Sequence, residues 1–227
     1  MTPRFVAVIP TLNEEATLGR AIASLRGQDV DCAVVVVDGG STDGTPEAAS
    51  RYADASVSIG RGLGRARNVG ASLAGPGSIL VFMDADTELP PGALRRMRDL
   101  FKPGVAAVTM GASPSRGTAL NRVIWGVINA LSGLSIRLGY PVVPGYLIAV
   151  RWEAWSRTRF SEALSAGEDI DFSVRLRRCG SVARVGGLRA VTSSRRVDTR
   201  GLRSVADYVS TAALCLLGRQ VEYRAVR

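Results

Sequence analysis

Asp84 and Asp86, separated by one residue, follow directly on the apolar run Ser78-Ile79-Leu80-Val81-Phe82-Met83. Such a run, rich in β-branched and large apolar side chains, reads as a strand buried on both faces. Carboxylates at the end of a buried strand call for a cation, because desolvating an unpaired charge is costly. The next residues, Thr87-Glu88-Leu89-Pro90-Pro91, turn the chain and add a third acidic group in Glu88. Hard oxygen donors of this kind suit Mg²⁺ or Mn²⁺ bridging to a phosphate-bearing substrate. An acidic turn that merely starts the next helix is the plain alternative, and the rest of the chain decides between them.

Composition narrows the chemistry. The chain has 227 residues, a formal charge of +9 and no histidine, which removes imidazole bases and His-ligated zinc. Catalysis must therefore rest on carboxylates, arginine or a metal. Lys102 is the only lysine, so the positive charge is almost all arginine, the residue suited to bidentate contact with phosphate. With a pI near 10.4 and mean hydropathy of +0.13, the candidate partners are phosphorylated small molecules, an anionic membrane surface and nucleic acid. Cys32, Cys179 and Cys215 are far apart and lack metal or redox spacing, as expected of core thiols in a reducing compartment. The length suits one domain with a substantial core.

The elements that must hold these residues alternate. Strands are expected at 5–9, 33–37, 55–59 and 79–83, with helices at 14–25, from near 45, at 65–74 and at 91–100, where two prolines would open the helix. This β-α-β-α series predicts a mostly parallel sheet with ligands at the strand carboxyl ends. Further strands are expected at 106–110, 147–150 and 182–185. The first apolar stretch is too short for a signal peptide. The uncharged segments 123–136 and 209–218 fall short of the roughly 20 residues of a spanning helix. They are candidates for a buried helix, a membrane-surface helix or a homodimer contact. The expected location is cytoplasmic, peripheral on the cytoplasmic membrane face.

The other motifs also fall at strand ends. Pro10-Thr11-Leu12-Asn13-Glu14-Glu15 starts a helix, with Asn13 or Thr11 as its cap. Asp38 leads Gly39-Gly40-Ser41-Thr42-Asp43-Gly44, where glycines let a flat ligand approach the main chain and Asp38 is aimed out of the strand end. Asp43 reads as a turn residue. Gly60-Arg61-Gly62-Leu63-Gly64-Arg65-Ala66-Arg67 does not fit the dinucleotide or P-loop patterns. It does deliver arginines to a helix start, a good place for phosphate or ribose.

Taken in order, Ile9 to Glu15, Val36 to Thr45, Arg65-Ala66-Arg67-Asn68-Val69-Gly70, Asp84-Ala85-Asp86 and Gly167-Glu168-Asp169-Ile170-Asp171-Phe172 resemble the motifs of family-two glycosyltransferases. The stretch from Asp84 to Pro91 is also similar to that of polyprenyl-phosphate sugar synthases, which hold Gln at the position of Glu88. The resemblance implies an α/β GT-A fold, a Rossmann-like, mostly parallel sheet flanked by helices with a smaller acceptor-side subregion. It implies one domain, 1–227: a nucleotide-sugar half to about 104, an acceptor half over about 105–200, and a C-terminal helix over about 201–227. Pro10, Leu12 and Glu14 would frame the base of a UDP- or GDP-sugar and Asp38 would pair with its ring N–H. Arg65 would reach base, ribose or phosphate, and Asp84 would lie near the ribose. Asp86, with Glu88, would hold Mg²⁺ or Mn²⁺ on the diphosphate. Asp169 would be the general base on the acceptor hydroxyl, and Glu168 would help to place the acceptor. Read from the residues alone, Arg195 and Arg196 are either a solvated basic pair or contacts for the diphosphate or an anionic acceptor. Gly39 stands where the family often has a second Asp, and the Q-x-x-R-W motif of processive synthases is missing.

The resemblance thus implies a metal-dependent, inverting transferase with a hydroxyl or lipid-phosphate acceptor. Two other classes compete. A sugar-phosphate nucleotidyltransferase would need a Gly-rich basic loop after the first strand, where Pro10-Thr11-Leu12-Asn13 stands. A nucleic-acid-binding module would explain the charge but leave the acidic motifs without purpose, so no nucleic-acid partner is expected.

Overall fold

Every residue of the first strand, β1 (Phe5–Thr11), is buried, as a strand between two helical layers must be. Its alternate side chains serve different layers. Phe5, Ala7 and Ile9 pack with Leu18, Ile22 and Leu25 of α1 (Glu15–Arg26) and with Leu94 and Met97 of α4 (Ala93–Leu100). Val6 and Val8 pack with Ala66 and Ala71 of α3 (Leu63–Ser72), Trp155 of α6 (Trp152–Thr158) and Phe172 of α7 (Glu168–Leu176). The result is a three-layer α/β/α domain. This computed structural model describes residues 4–164 and 166–217.

The remaining strands are β2 (Cys32–Asp38), β3 (Ala55–Ser58), β4 (Ile79–Met83), β5 (Val105–Pro114), β6 (Leu147–Arg151) and β7 (Ser181–Thr192). They form one sheet in the order β3-β2-β1-β4-β6-β5-β7. The first four strands are mutually parallel, β6 runs antiparallel to both neighbours, and β7 is parallel to β5. The mostly parallel sheet expected from the alternation is therefore present, and the carboxyl ends of β1, β2 and β4 lie along one edge. Pro10 sits in β1 beyond Val8, the last residue paired with β4, so its missing N–H interrupts no ladder on that side. Helices α2 (Thr45–Tyr52), α5 (Ala119–Arg137), α8 (Arg195–Arg200) and α9 (Arg203–Leu216) complete the described elements.

Two local expectations are corrected. Pro90 and Pro91 precede α4 rather than open it, because Gly92 takes a left-handed conformation with φ of 74° ahead of Ala93. Asn13 and Thr11 do not cap α1, whose cap position is Glu14 without a side-chain bond. Parallel β1 and β2 place their exit loops side by side, and those polar groups are used between the loops instead.

Helix α3 approaches the sheet closely through glycine. A Cβ at Gly70 would stand 2.4 Å from Cγ1 of Val8 and 3.0 Å from Cγ2 of Val37. One at Gly64 would meet the Ser161 carbonyl oxygen at 2.2 Å. Gly70→Ala should therefore cost about 1–3 kcal/mol through overpacking, measured as a lower denaturant midpoint. Gly75→Ala, where a Cβ meets nothing within 4 Å, should leave the midpoint within about 0.5 kcal/mol.

Candidate active site

The loops leaving β1 and β2 form the first wall of the crevice. Asp38 is buried, and its carboxylate accepts from Thr11 Oγ1 at 3.2 Å, Gly40 N at 3.0 Å, Ser41 N at 3.0 Å and Ser41 Oγ at 2.5 Å. Burial by itself would raise this carboxyl, but those donors outweigh it and hold it below the usual carboxylate range. In this structure the carboxylate that the resemblance assigns to a base N–H is engaged by its own loop. Asn13, at φ 57°, receives Thr42 N at its Oδ1 (2.9 Å), while its own N–H donates to Ser41 Oγ (2.8 Å). Asp43 accepts from Thr45 N at 3.0 Å at the start of α2, in keeping with its reading as a turn residue. Pro10 is buried in β1, and Leu12 is exposed on the lip of the crevice.

At the end of β4 the two aspartates find different cations. Asp84 Oδ1 meets Arg67 Nη2 at 3.0 Å, while the other terminal nitrogen of Arg67 holds Glu168 Oε1 at 2.7 Å. Arg67 also donates to the Gly145 carbonyl at 3.2 Å and faces the Phe160 ring at 5.2 Å. Its side chain is only 2% exposed. Burial, with Asp86, Asp169 and Glu168 nearby, pushes the Asp84 carboxyl up to about 7 despite the pull of Arg67. Glu168 is raised for the same reason, burial first and neighbouring Asp169 second.

Asp86 instead belongs to a second cluster. Its Oδ2 lies 3.1 Å from Arg195 Nη2, which also meets Glu14 Oε1 at 2.5 Å. Thr192 Oγ1 approaches Asp86 Oδ1 at 3.4 Å and Thr87 Oγ1 at 3.0 Å. The reciprocal backbone bonds of Glu88 and Val191, 2.7 and 2.9 Å, draw the end of β7 onto this loop. They leave the Glu88 side chain toward α1, where it pairs with Arg20 at 3.2 Å. Glu88 and Asp86 thus share no partner here. A cleft of about 490 Å³ opens beside Asn13, Glu14, Thr17, Asp43 and Arg195.

Three acids start α7 and have different surroundings. Glu168 is buried on Arg67, and Asp171 is held by Arg175 at 2.6 Å. Asp169 has no ion-pair contact among the described residues, and its Oδ1 accepts the Ile170 N–H at 2.8 Å. A Cβ at Gly145 would come within 2.7 Å of Asp169 Oδ2 and 2.8 Å of Arg67 Nη2. Only glycine at that position lets the two groups stand this close.

Arg65 is exposed on α3 and folds back beside Gly60, away from the Asp84 cluster. The organising cation is Arg67, whose importance the motif alone did not reveal. The signal was present in helical spacing: Arg67 lies three residues from both Gly64 and Gly70, on the face those glycines bring against the protein. Arg196 is the second residue of α8, and its side chain lies outside the described residues.

The fit of a divalent cation rests on Asp86 and Glu14. Two carboxylates already converge on one cationic nitrogen, that of Arg195. Among the described residues no group of three or more His, Cys, Asp or Glu gathers as a metal cage. The donor set suits an ion that takes one or two carboxylates and completes its shell with substrate phosphate and water.

The chain matches the sequence profile of glycosyl transferase family 2 over residues 6–149. Among curated protein sequences none matches. Among solved structures, the mannosyltransferase PcManGT of Pyrobaculum calidifontis, in complex with GDP-Man and Mn²⁺, is 25% identical with a TM-score of 0.71. The match covers 96% of this chain but only 64% of that one. Glucosyl-3-phosphoglycerate synthase of Mycobacterium tuberculosis, in complex with Mn²⁺, UDP and glucosyl-3-phosphoglycerate, is 22% identical with a TM-score of 0.65. There the shares are 96% of this chain and 80% of the synthase. TarS 1–349 of S. aureus is 19% identical with a TM-score of 0.67, over 96% of this chain and 67% of that one. These structures share the GT-A fold with it. With the sheet, the acidic loop and the crevice in place, the profile match over most of its length makes this chain a member of glycosyl transferase family 2.

Proposed function

We propose that this chain transfers a sugar from a nucleoside-diphosphate sugar to a hydroxyl or lipid-phosphate acceptor, with Mg²⁺ or Mn²⁺ and with inversion. The observation that carries this reading is the convergence of Asp86 and Glu14 on one cation. It lies at the carboxyl edge of the sheet, in the same crevice as Asp84 and Asp169. The nucleotide would lie over Pro10, Leu12 and the Asp38 loop, with Asp84 toward the ribose and Arg65 reaching in from the rim. For Asp38 to take the base, one of its loop donors must give way. Glu88 would join the metal only on leaving Arg20. A metal on Asp86 supplies charge neutralisation for the departing diphosphate.

The chemistry left to the protein is a displacement at the anomeric carbon. The bond from that carbon to the diphosphate oxygen breaks, and the acceptor oxygen forms the new bond from the opposite side. Asp169, the one acid of its motif without an arginine ion pair among the described residues, would take the proton of a hydroxyl acceptor. A phosphate acceptor is already an anion, and Asp169 would then only position it. Glu168, neutralised by Arg67, holds the wall of the acceptor side. A thermal-shift screen of UDP- and GDP-sugars with and without Mn²⁺ tests the reading directly. Stabilisation by none of them would overturn it.

Three variants divide the roles. In Asp86→Ala the gain in nucleotide affinity on adding Mn²⁺ should disappear in calorimetry, with the melting temperature of the free protein little changed. Arg195 bridges the two carboxylates that would hold the metal, so Arg195→Ala should bind Mn²⁺ more tightly in the absence of nucleotide. Weaker binding would show Arg195 to support the site rather than compete for it. Asp169→Asn keeps shape but loses basicity. Transfer to a hydroxyl acceptor should fall by roughly 10²–10⁴-fold with nucleotide affinity unchanged, and single-turnover rates beside binding isotherms would check both halves.

A further inference from the structure

Among the described residues α5 is the one helix long and apolar enough to cross a membrane by length and composition, although the uncharged segment within it was expected to fall short. Leu120, Val123, Val127, Leu134 and Leu138, the last its C-cap residue, are 40–66% exposed. At 3.6 residues per turn these positions fall on one stripe. The opposite face is committed to the protein. Ile124 and Ile128 pack on Val197 of α8, and Asn129 clamps the Ala112 backbone with bonds of 3.0 and 2.7 Å. The helix is thus pinned lengthwise along β5 and presents its stripe sideways, so it lies along a surface rather than crossing one.

Beside the carboxyl end of α5 is a groove of about 450 Å³ that no part of the transferase reading uses. It exists because β7 bulges: Met110 pairs with Val185, but Gly111 pairs with Arg189, leaving residues 186–188 out of register. Arg137, Arg184 and Arg189 line it, with glycines at 111, 133, 186 and 187 and no acidic residue. Arg184 is tied to Asn129 at 2.6 and 3.0 Å, whereas Arg137 and Arg189 are exposed. By helical rotation Arg137 stands at the border between the groove and the apolar stripe.

The charge of the groove is one-sided, three arginines and no acid in its lining. A second copy of the chain seated symmetrically on this end of the stripe would bring groove arginines against groove arginines, which is unfavourable. Nucleic acid offers nothing to the apolar stripe. An anionic bilayer satisfies both features, taking apolar side chains into the headgroup boundary and giving phosphates to flanking arginines.

We propose that α5 and the adjoining arginine groove form a docking surface for an anionic phospholipid bilayer, with a lipid headgroup phosphate seated between Arg137 and Arg189. This surface is independent of sugar transfer, so vesicle binding and nucleotide binding can fail separately. Were both to hold, the peripheral location would bring lipid-borne acceptors to the crevice. Asn121 near the start of α5 bonds Asp198 at 2.8 Å, in the same short helix that carries Arg195.

The test is co-sedimentation of the full chain with phosphatidylcholine vesicles, with and without phosphatidylglycerol. Binding should require phosphatidylglycerol and weaken with added salt. Val123→Glu/Leu134→Glu and Arg137→Ser/Arg189→Ser should each lower it by roughly tenfold or more. Nucleotide-sugar affinity should be unchanged, and melting curves would verify folding. Val123→Ser/Leu134→Ser, a milder pair, should give an intermediate loss. Equal binding to both vesicle types, or wild-type binding by the stripe variants, would overturn the proposal. So would a dimer in analytical ultracentrifugation that the stripe variants dissociate, since that would assign the face to a second copy.

Discussion

The structure depends most on a buried guanidinium. Arg67 joins Asp84, at the end of β4, to Glu168, at the start of α7. Removing one member of a buried pair typically costs about 3–5 kcal/mol, because the other charge is left unpaired in a poor solvent. Much of the crevice follows from that constraint. Gly145 must lack a side chain so that Arg67 and Asp169 can pass on either side of it, and Phe160 closes over the guanidinium face. The next residue extends the same seam. Asn68 receives bonds from Phe160 N and Trp155 Nε1 and donates to Phe160 O and Glu162. Helix α3 is thereby stitched to α6 and the segment after it along one turn.

This arrangement sorts the carboxylates by environment. Those that meet buried or tightly held arginines, Glu168 and Asp171, serve as structure. Asp169 has no such partner among the described residues. Asp86 and Glu14 share an exposed arginine, an attachment solvent weakens. One residue separates Asp84 from Asp86, yet one meets a buried arginine and the other an exposed one.

Away from the crevice, the fold makes a second use of irregularity. The bulge in β7 opens a groove whose only charges are arginines, beside a helix whose outer stripe is apolar. Neither feature contributes to the sheet core. Both lie on elements whose inner faces are firmly held, so exposed apolar side chains there are not explained by loose packing.

Much of the fold was legible in the sequence because it is local. The apolar runs at β1, β2 and β4, the helical spacing between them and the acids at their ends specify a parallel α/β sheet and a ligand edge. The acidic motifs fall at strand ends for the same reason, since a strand end and the turn after it are neighbours in sequence. What tertiary structure alone decided is which charges meet. Arg67 and Glu168 are 101 residues apart, and Arg195 and Asp86 are 109 apart. Helical spacing puts Arg67 on the face of Gly64 and Gly70, but no local pattern names its partners, sends Glu88 to Arg20, or turns Asn13 from a helix cap into a link between loops. Those outcomes depend on which side chains the sheet order brings within hydrogen-bond reach, and on the cost of leaving any buried charge without a partner.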